Sequence, residues 1–154
     1  MAMSVEIRGL EKLVKLADRY PAISEKHVNR AIQRSLIRVQ DDAKRNAPFG
    51  TTGQLRQNWA LNLGRFQGSL KSQANSNGFF YGSAVEFGTR PHFPPVGALS
   101  LWARRKGLNP FMVARSIARK GTRANPFFSK AIKAQQSAIN NEFSDAIDAI
   151  LKEI

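Results

Sequence analysis

The 154-residue sequence contains no cysteine and only two histidines. The absence of cysteine excludes disulfide frameworks, thiolate metal sites and cysteine nucleophiles, and it is typical of a protein that matures in a reducing cytoplasm. Two histidines without cysteine do not make a standard zinc ligand set. Because 42% of the residues are hydrophobic and 23% are charged, we still expect a folded chain with a core.

Long hydrophobic runs are also missing. No segment approaches the roughly 20 apolar residues needed to cross a bilayer. The first residues carry charge from Glu6 onward and do not resemble a signal peptide. We therefore expect a soluble protein, made inside a cell, with no membrane partner. At this length one domain spanning residues 1–154 is the default expectation.

Acidic residues are nearly absent from the middle of the chain. Between residues 44 and 133 there are fifteen basic residues and one acidic residue, Glu86, and the whole chain carries a net charge of +13. A field of one sign attracts polyanions, of which nucleic acid is the first candidate. A charge that serves solubility, or one that matches an acidic protein neighbour, is an equal alternative at this point.

Hydrophobic periodicity predicts an α+β fold. Apolar residues recur at helical spacing over 10–19 and 22–46, and again in a long final helix that begins at Pro126. The final helix is long enough to meet another subunit. Period-two alternation predicts a short strand over 5–8 and three antiparallel strands, beginning at Trp59, over 69–74, and over 79–87.

Two further short helices are predicted after a proline-rich loop. The first spans 96–106, and the second spans 110–120 with Asn109 as its N-cap and Gly121 as its stop. The fold class is thus a small antiparallel sheet of three to four strands, packed against long N-terminal and C-terminal helices, with two short basic helices inserted.

We find no grouping of polar residues with catalytic or cofactor-binding character. His27 and His92 are isolated and are interpreted as surface or loop residues. Asp41 and Asp42 are adjacent, so they diverge on a helix and are interpreted as solvated charge. Glu86 is interpreted as an ion-pair partner of nearby arginines. The sequence therefore predicts neither catalytic residues nor metal or cofactor sites.

The strongest binding candidate is a run of cations on the two short helices and their loops. Long cationic side chains on one surface suit phosphate contact or an acidic partner, and they imply no base reading. The aromatic residues between them, Trp102, Phe111 and Phe127, are interpreted as core. The run comprises Arg104, Arg105, Lys106, Arg115, Arg119, Lys120 and Arg123.

Three ordered blocks carry a family resemblance. They are residues 5–10 (VEIRGL), residues 43–56 with AKRNAP leading into TGQLR, and residues 81–89 (YGSAVEFGT) followed by prolines. Together they resemble the head-tail joining, or tail-component, family of long-tailed bacteriophages. Their signature positions in this sequence are Pro48, Thr52, Gly53, Leu55, Tyr81, Glu86, Phe87, Gly88 and Thr89.

The resemblance implies a structural protein without catalytic residues. It implies a ring, with six subunits expected, at the neck of the virion between the capsid portal and the tail. Partners would be a portal adaptor or head completion protein and a tail terminator or tail tube protein, with nonspecific DNA contact possible in the lumen. The alternative that the residues leave open is a small, sequence-nonspecific nucleic-acid-binding protein.

Overall fold

The computed structural model describes residues 7–50, 52–76 and 79–154 of an α+β chain. Its described part contains seven helices and two sheets of two strands each. The chain divides into two compact units. Unit 1 is formed by the described residues of Met1–Asn46, by Trp59–Lys71 and by Phe128–Ile154, and unit 2 by those of Ala47–Asn58 and Ser72–Phe127.

Unit 1 is built on two long helices, α2 (Pro21–Asn46) and α7 (Phe127–Glu153). Side-chain bonds join them along their length: Lys26 to Glu153, Arg38 to Glu142 at 3.0 Å, and Asp42 to Gln135 at 2.7 Å. Residue numbers rise along one helix as they fall along the other, so the two helices are antiparallel. A 27-residue helix is about 40 Å long.

A short helix and a hairpin complete unit 1. Helix α1 (Leu10–Arg19) runs directly into α2, and strands β1 (Trp59–Gly64) and β2 (Gln67–Ser72) are joined by two residues, as an antiparallel hairpin requires. The hairpin tip is tethered to α2, because the Phe66 amide donates to Asn29 Oδ1 at 2.9 Å and Arg65 pairs with Glu25 at 3.0 Å.

Unit 2 consists of short elements. These are α3 (Gln54–Gln57), β3 (Asn75–Ser76), β4 (Phe79–Phe80), α4 (Gly82–Phe87), α5 (Val96–Arg105) and α6 (Pro110–Lys120). Strands β3 and β4 pair antiparallel, with Asn75 opposite Phe80. Asn109 caps α6 as its position predicts, since its side chain accepts hydrogen bonds from the amides of Phe111 and Met112.

The predicted sheet of three to four strands is wrong, because the described strands form two separate pairs. The strand predicted over 79–87 is confined to its first two residues, and Gly82–Phe87 is the helix α4. A few alternating residues fit one helical turn nearly as well as a strand. The strand predicted over 5–8 lies mostly outside the described residues, and the described Ile7 and Arg8 are not in a strand.

Gly68 brings the hairpin backbone close to α2. A Cβ at this position would lie 2.6 Å from Ile32 Cγ2 and 2.7 Å from Leu36 Cδ1. We therefore expect Gly68→Ala to lower the free energy of unfolding by about 1–3 kcal/mol in a chemical denaturation experiment, since two packed side chains of α2 must move. Gly97→Ala is the control, because nothing lies within 4 Å there and alanine is favoured in α5. Equal effects of the two substitutions would refute this account.

The Glu153 carboxylate links the end of α7 to the start of α2 through hydrogen bonds. Hydrogen bonds from Lys26 and then from His27 lower the pKa of the Glu153 carboxyl from its ordinary value of 4.5. A lowered pKa in the folded state means that this contribution to stability is present above about pH 4.5 and is lost as the pH falls below it.

We therefore expect the unfolding free energy of the wild-type chain to fall more steeply below pH 4.5 than that of Glu153→Gln. Asp145→Asn, which removes an exposed carboxylate from the same helix outside this cluster, should leave the wild-type slope in place. Denaturation curves from pH 3 to 7 provide the measurement. Parallel curves for the wild type and Glu153→Gln would show that the cluster contributes nothing.

Candidate interaction surfaces

The third signature block of the sequence forms a backbone seam in unit 2. The amides of Thr89 and Thr122 each donate to the carbonyl of the other residue at 3.2 Å, and their hydroxyls lie 3.0 Å apart. Asn125 donates from its amide to the Val85 carbonyl at 2.8 Å. The seam therefore holds the segment after α6 against the end of α4.

Two glycines flank this seam in a backbone conformation that is nearly restricted to glycine. Gly88 has φ 73° and ψ −179°, and Gly121 has φ 71° and ψ −162°. A Cβ on Gly88 would lie 2.9 Å from the Ala124 amide nitrogen, and one on Gly121 would overlap the Thr89 carbonyl. Gly88 follows a helix rather than the strand that the sequence predicted, but the chain does bend there.

The second signature block lies beside the third. Gly53, with φ 69°, begins the helix α3, and Leu55 in that helix is 3% exposed. A Cβ added to Gly82 would lie 3.7 Å from Leu55 Cδ1, so the two blocks meet in unit 2. Arg56 donates from Nε to the Ala47 carbonyl at 2.7 Å, which fixes the loop that contains Pro48. Glu86 in α4 is buried at 3% exposure.

The cations of the predicted run are on the surface. All seven side chains are exposed, and Arg115 and Arg119 lie on the exposed side of α6, away from its buried Ala114. They are spread along the helix pair rather than gathered at one point. Arg104, Arg105 and Lys106 precede the start of α6, whereas Arg119, Lys120 and Arg123 lie at and beyond its end, about 16 Å away for an 11-residue helix.

An aromatic surface at the start of α6 was missed by the sequence analysis. Phe111 was interpreted as core, and this is wrong, because Phe111 is 53% exposed. Its ring meets that of Phe93 edge to face, with 6.1 Å between centroids, and Phe93 and Met112 are 55% and 57% exposed. Phe127 is buried as predicted. The spacing of Phe111, Arg115 and Arg119 at four-residue intervals is the signal that places Phe111 on the charged face.

Unit 1 has an open apolar groove with a volume of about 1060 Å³. Its walls come from α1, α2, the β1–β2 hairpin and α7. Most of the lining is aliphatic or aromatic, including Leu10, Val14, Ile32, Leu36 and Phe128. Large apolar patches of this kind are common at interaction sites in proteins.

Both histidines and Asp42 have hydrogen-bond partners within the chain. His27 Nε2 lies 2.8 Å from a Glu153 carboxylate oxygen, so this histidine is a part-buried link between helices rather than a surface residue. His92 donates from Nδ1 to the Arg90 carbonyl at 2.9 Å. Asp42 accepts from Gln135 and Arg45, which lowers the pKa of its carboxyl from 3.8.

The described residues contain neither a metal-binding cluster nor a membrane-spanning helix. In residues 7–50, 52–76 and 79–154 no group of three or more His, Cys, Asp or Glu side chains could hold a metal ion. Within the same ranges, no helix combines the length and the apolar character that a membrane crossing needs.

Unit 2 thus combines a glycine-dependent backbone seam with exposed cationic and aromatic side chains. The chain belongs to the family described as "Bacteriophage HK97-gp10, putative tail-component", whose model matches residues 10–88. The match covers the second signature block and all but the last residue of the third. A tail component is a part of the virion.

The remaining comparisons add no relatives. A search of curated proteins gave no match, and a search of solved structures gave none. The family supports interaction with other phage structural proteins. It lends no support to the alternative of a free nucleic-acid-binding protein.

Proposed function

We propose that this chain is a structural subunit of the virion neck, where a ring of copies, six by the family resemblance, joins the capsid connector to the tail. The observation that carries the proposal is the match to a tail-component family over residues 10–88. The chain is a building element and not an enzyme. It is made in the cytoplasm of the bacterial host before it enters the particle.

The ring has two kinds of protein neighbour in this proposal. A portal adaptor or head completion protein lies on its capsid side, and a tail terminator or tail tube protein lies on its tail side. The open groove of unit 1 and the aromatic surface at the start of α6 are apolar surfaces available for such contacts.

The cationic run would face DNA in the lumen of the ring. Its seven exposed side chains belong to a unit with only one acidic residue, the buried Glu86. Cations on a lumen wall bind backbone phosphates without sequence preference. We therefore expect DNA binding by the assembled ring to weaken steeply as salt rises and to be indifferent to base sequence.

Neither unit is a continuous stretch of chain. Unit 1 is made of three segments and unit 2 of the two segments between them. Cutting out one unit would sever the other, so we propose that both fold together as one domain of residues 1–154.

Deletion of the gene from the phage tests the proposal. We expect DNA-filled capsids and finished tails that remain unjoined in electron micrographs, with joining restored by the purified chain. Mass photometry of the purified chain should show a ring or a ring-competent oligomer. Normal joined particles from the deletion phage, or a strictly monomeric chain that binds duplex DNA tightly at physiological salt, would refute the neck role.

A further inference from the structure

The groove of unit 1 exposes large apolar side chains among the described residues. Leu10 and Val14 of α1 line it and are 55% and 52% exposed. Ile32 and Leu36 form its floor on α2 and are only partly covered. Apolar surface of this kind is stabilised when it is removed from water. The occupant therefore presents apolar side chains of its own.

The charged residues that line the groove indicate which kind of partner it can bind. Only two of its lining residues, Asp18 and Arg65, are charged. Arg65 is neutralised by Glu25 at 3.0 Å, whereas Asp18 forms no ion pair with any described residue. The groove is thus an apolar surface with one uncompensated negative charge, and it suits an apolar partner with a cationic margin.

The same chain carries such a surface at the start of α6. We define the aromatic end as Phe93, Leu108, Phe111 and Met112, each between 47% and 57% exposed. Arg104 and Lys106, which we call its cationic margin, lie between Phe93 and Leu108 in the sequence, and both are exposed. Neither of these two cations forms an ion pair within the described part of the chain.

We propose that the aromatic end of a second copy of this chain occupies the groove of the first. Phe111 and Met112 would enter among Leu10, Val14 and Leu36, and the cationic margin would meet Asp18. Two different surfaces meet in this junction, so it is heterologous. Each copy has one groove and one aromatic end, and a copy that binds through one of them still has the other free. Such a junction repeats from copy to copy and closes into a ring when the rotation allows.

This inference rests on the proposed ring and names the surfaces that build it. The charges beside the two surfaces support a second copy as the partner. Asp18 lines the groove, and Arg104 and Lys106 accompany the aromatic end, none of them in an ion pair with a described residue. A junction between the groove of one copy and the aromatic end of the next brings these opposite charges together.

Two variants that each disable one half of the junction provide the test. Val14→Arg fills the groove and repels the cationic margin, and arginine is well tolerated in a helix such as α1. Phe111→Asp removes an anchor and places a negative charge opposite Asp18. Aspartate is favoured in the first turn of α6, so that helix should still form. We expect each substitution to weaken self-association at least about a hundredfold.

Mixing the two variants gives the decisive readout. Only one working junction remains in the mixture, between the intact groove of Phe111→Asp and the intact aromatic end of Val14→Arg. We expect each variant alone to be monomeric and the equimolar mixture to form a dimer that grows no further, as measured by native mass spectrometry and sedimentation velocity. Ile37→Arg and Leu101→Asp, at exposed positions outside both surfaces, should assemble like the wild type.

Several results would overturn the proposal. These are a wild-type chain that stays monomeric at every concentration, variants that assemble normally, a mixture that stays monomeric, or a small molecule retained in the groove in native spectra. A monomeric chain together with unjoined heads and tails in the deletion phage would remove the junction and keep the neck role. If the mixture forms a dimer but the deletion phage gives normal particles, the neck role is refuted and the junction is kept.

Discussion

Gly121→Ala is expected to lower the free energy of unfolding by about 3 kcal/mol or more, which for a chain of this size is a fall of roughly 10 °C in Tm. Gly121 has φ 71° and ψ −162°, a region that side chains other than glycine rarely enter. An added Cβ would also overlap the Thr89 carbonyl, so the backbone bonds between Thr89 and Thr122 must open. Thermal unfolding followed by circular dichroism measures the effect.

Gly107→Ala is the control that measures the cost of the backbone conformation without a steric overlap of the added Cβ. Gly107 also has a positive φ, 67°, but nothing lies within 4 Å of an added Cβ. We expect this control to cost about 1–2 kcal/mol, from conformation alone. Gly88→Ala should resemble Gly121→Ala, because its Cβ would press on the Thr122 carbonyl and the Ala124 amide. If Gly121→Ala were no worse than Gly107→Ala, the seam would not hold unit 2 together.

Arg115→Glu combined with Arg119→Glu is expected to reduce the yield of joined, infectious particles at least about a hundredfold without unfolding the chain. Both side chains are exposed and lie away from the buried Ala114 of α6, so the fold should tolerate the change. Like charges placed against a polyanion or an acidic neighbour cost several kcal/mol, and each ~1.4 kcal/mol is a factor of ten. Plaque titre and electron microscopy of the lysate measure the loss.

A matched double charge reversal shows whether the particle yield depends on the position of the charges or on the total charge of the chain. Lys130→Glu combined with Lys133→Glu makes the same charge change on exposed side chains of α7, outside the cationic run. We expect this variant to give a titre close to that of the wild type. A normal yield of infectious, filled particles from the Arg115 and Arg119 reversal would remove the role given to the cationic face.

The helices of unit 1 could be predicted because their hydrophobic periodicity extends over many residues. The bounds of α1 agree with the predicted 10–19, and α2 and α7 begin within a residue of their predicted starts. A 3.6-residue period sustained over 25 or more residues has few alternative explanations. The prediction of a strand over 79–87 was wrong because the segment is short. The burial of Glu86 in α4 depends on neighbours that no local pattern shows.

The surfaces were harder to predict than the elements. Exposure of Arg115 and Arg119 followed from helical spacing, and the same spacing could have placed Phe111 beside them. The groove has no local signal, because its walls come from α1, α2, the hairpin and α7, which are distant in the sequence. The role of Gly121 likewise depends on Thr89, a residue 32 positions earlier in the chain.

Cryo-electron microscopy of the intact virion tests the central claim most directly. The account predicts a ring of this chain at the collar, between connector and tail, with Phe111 of each copy seated against Val14 of its neighbour and Arg119 turned toward the DNA. A collar without this polypeptide, or copies placed elsewhere along the particle, would contradict the account.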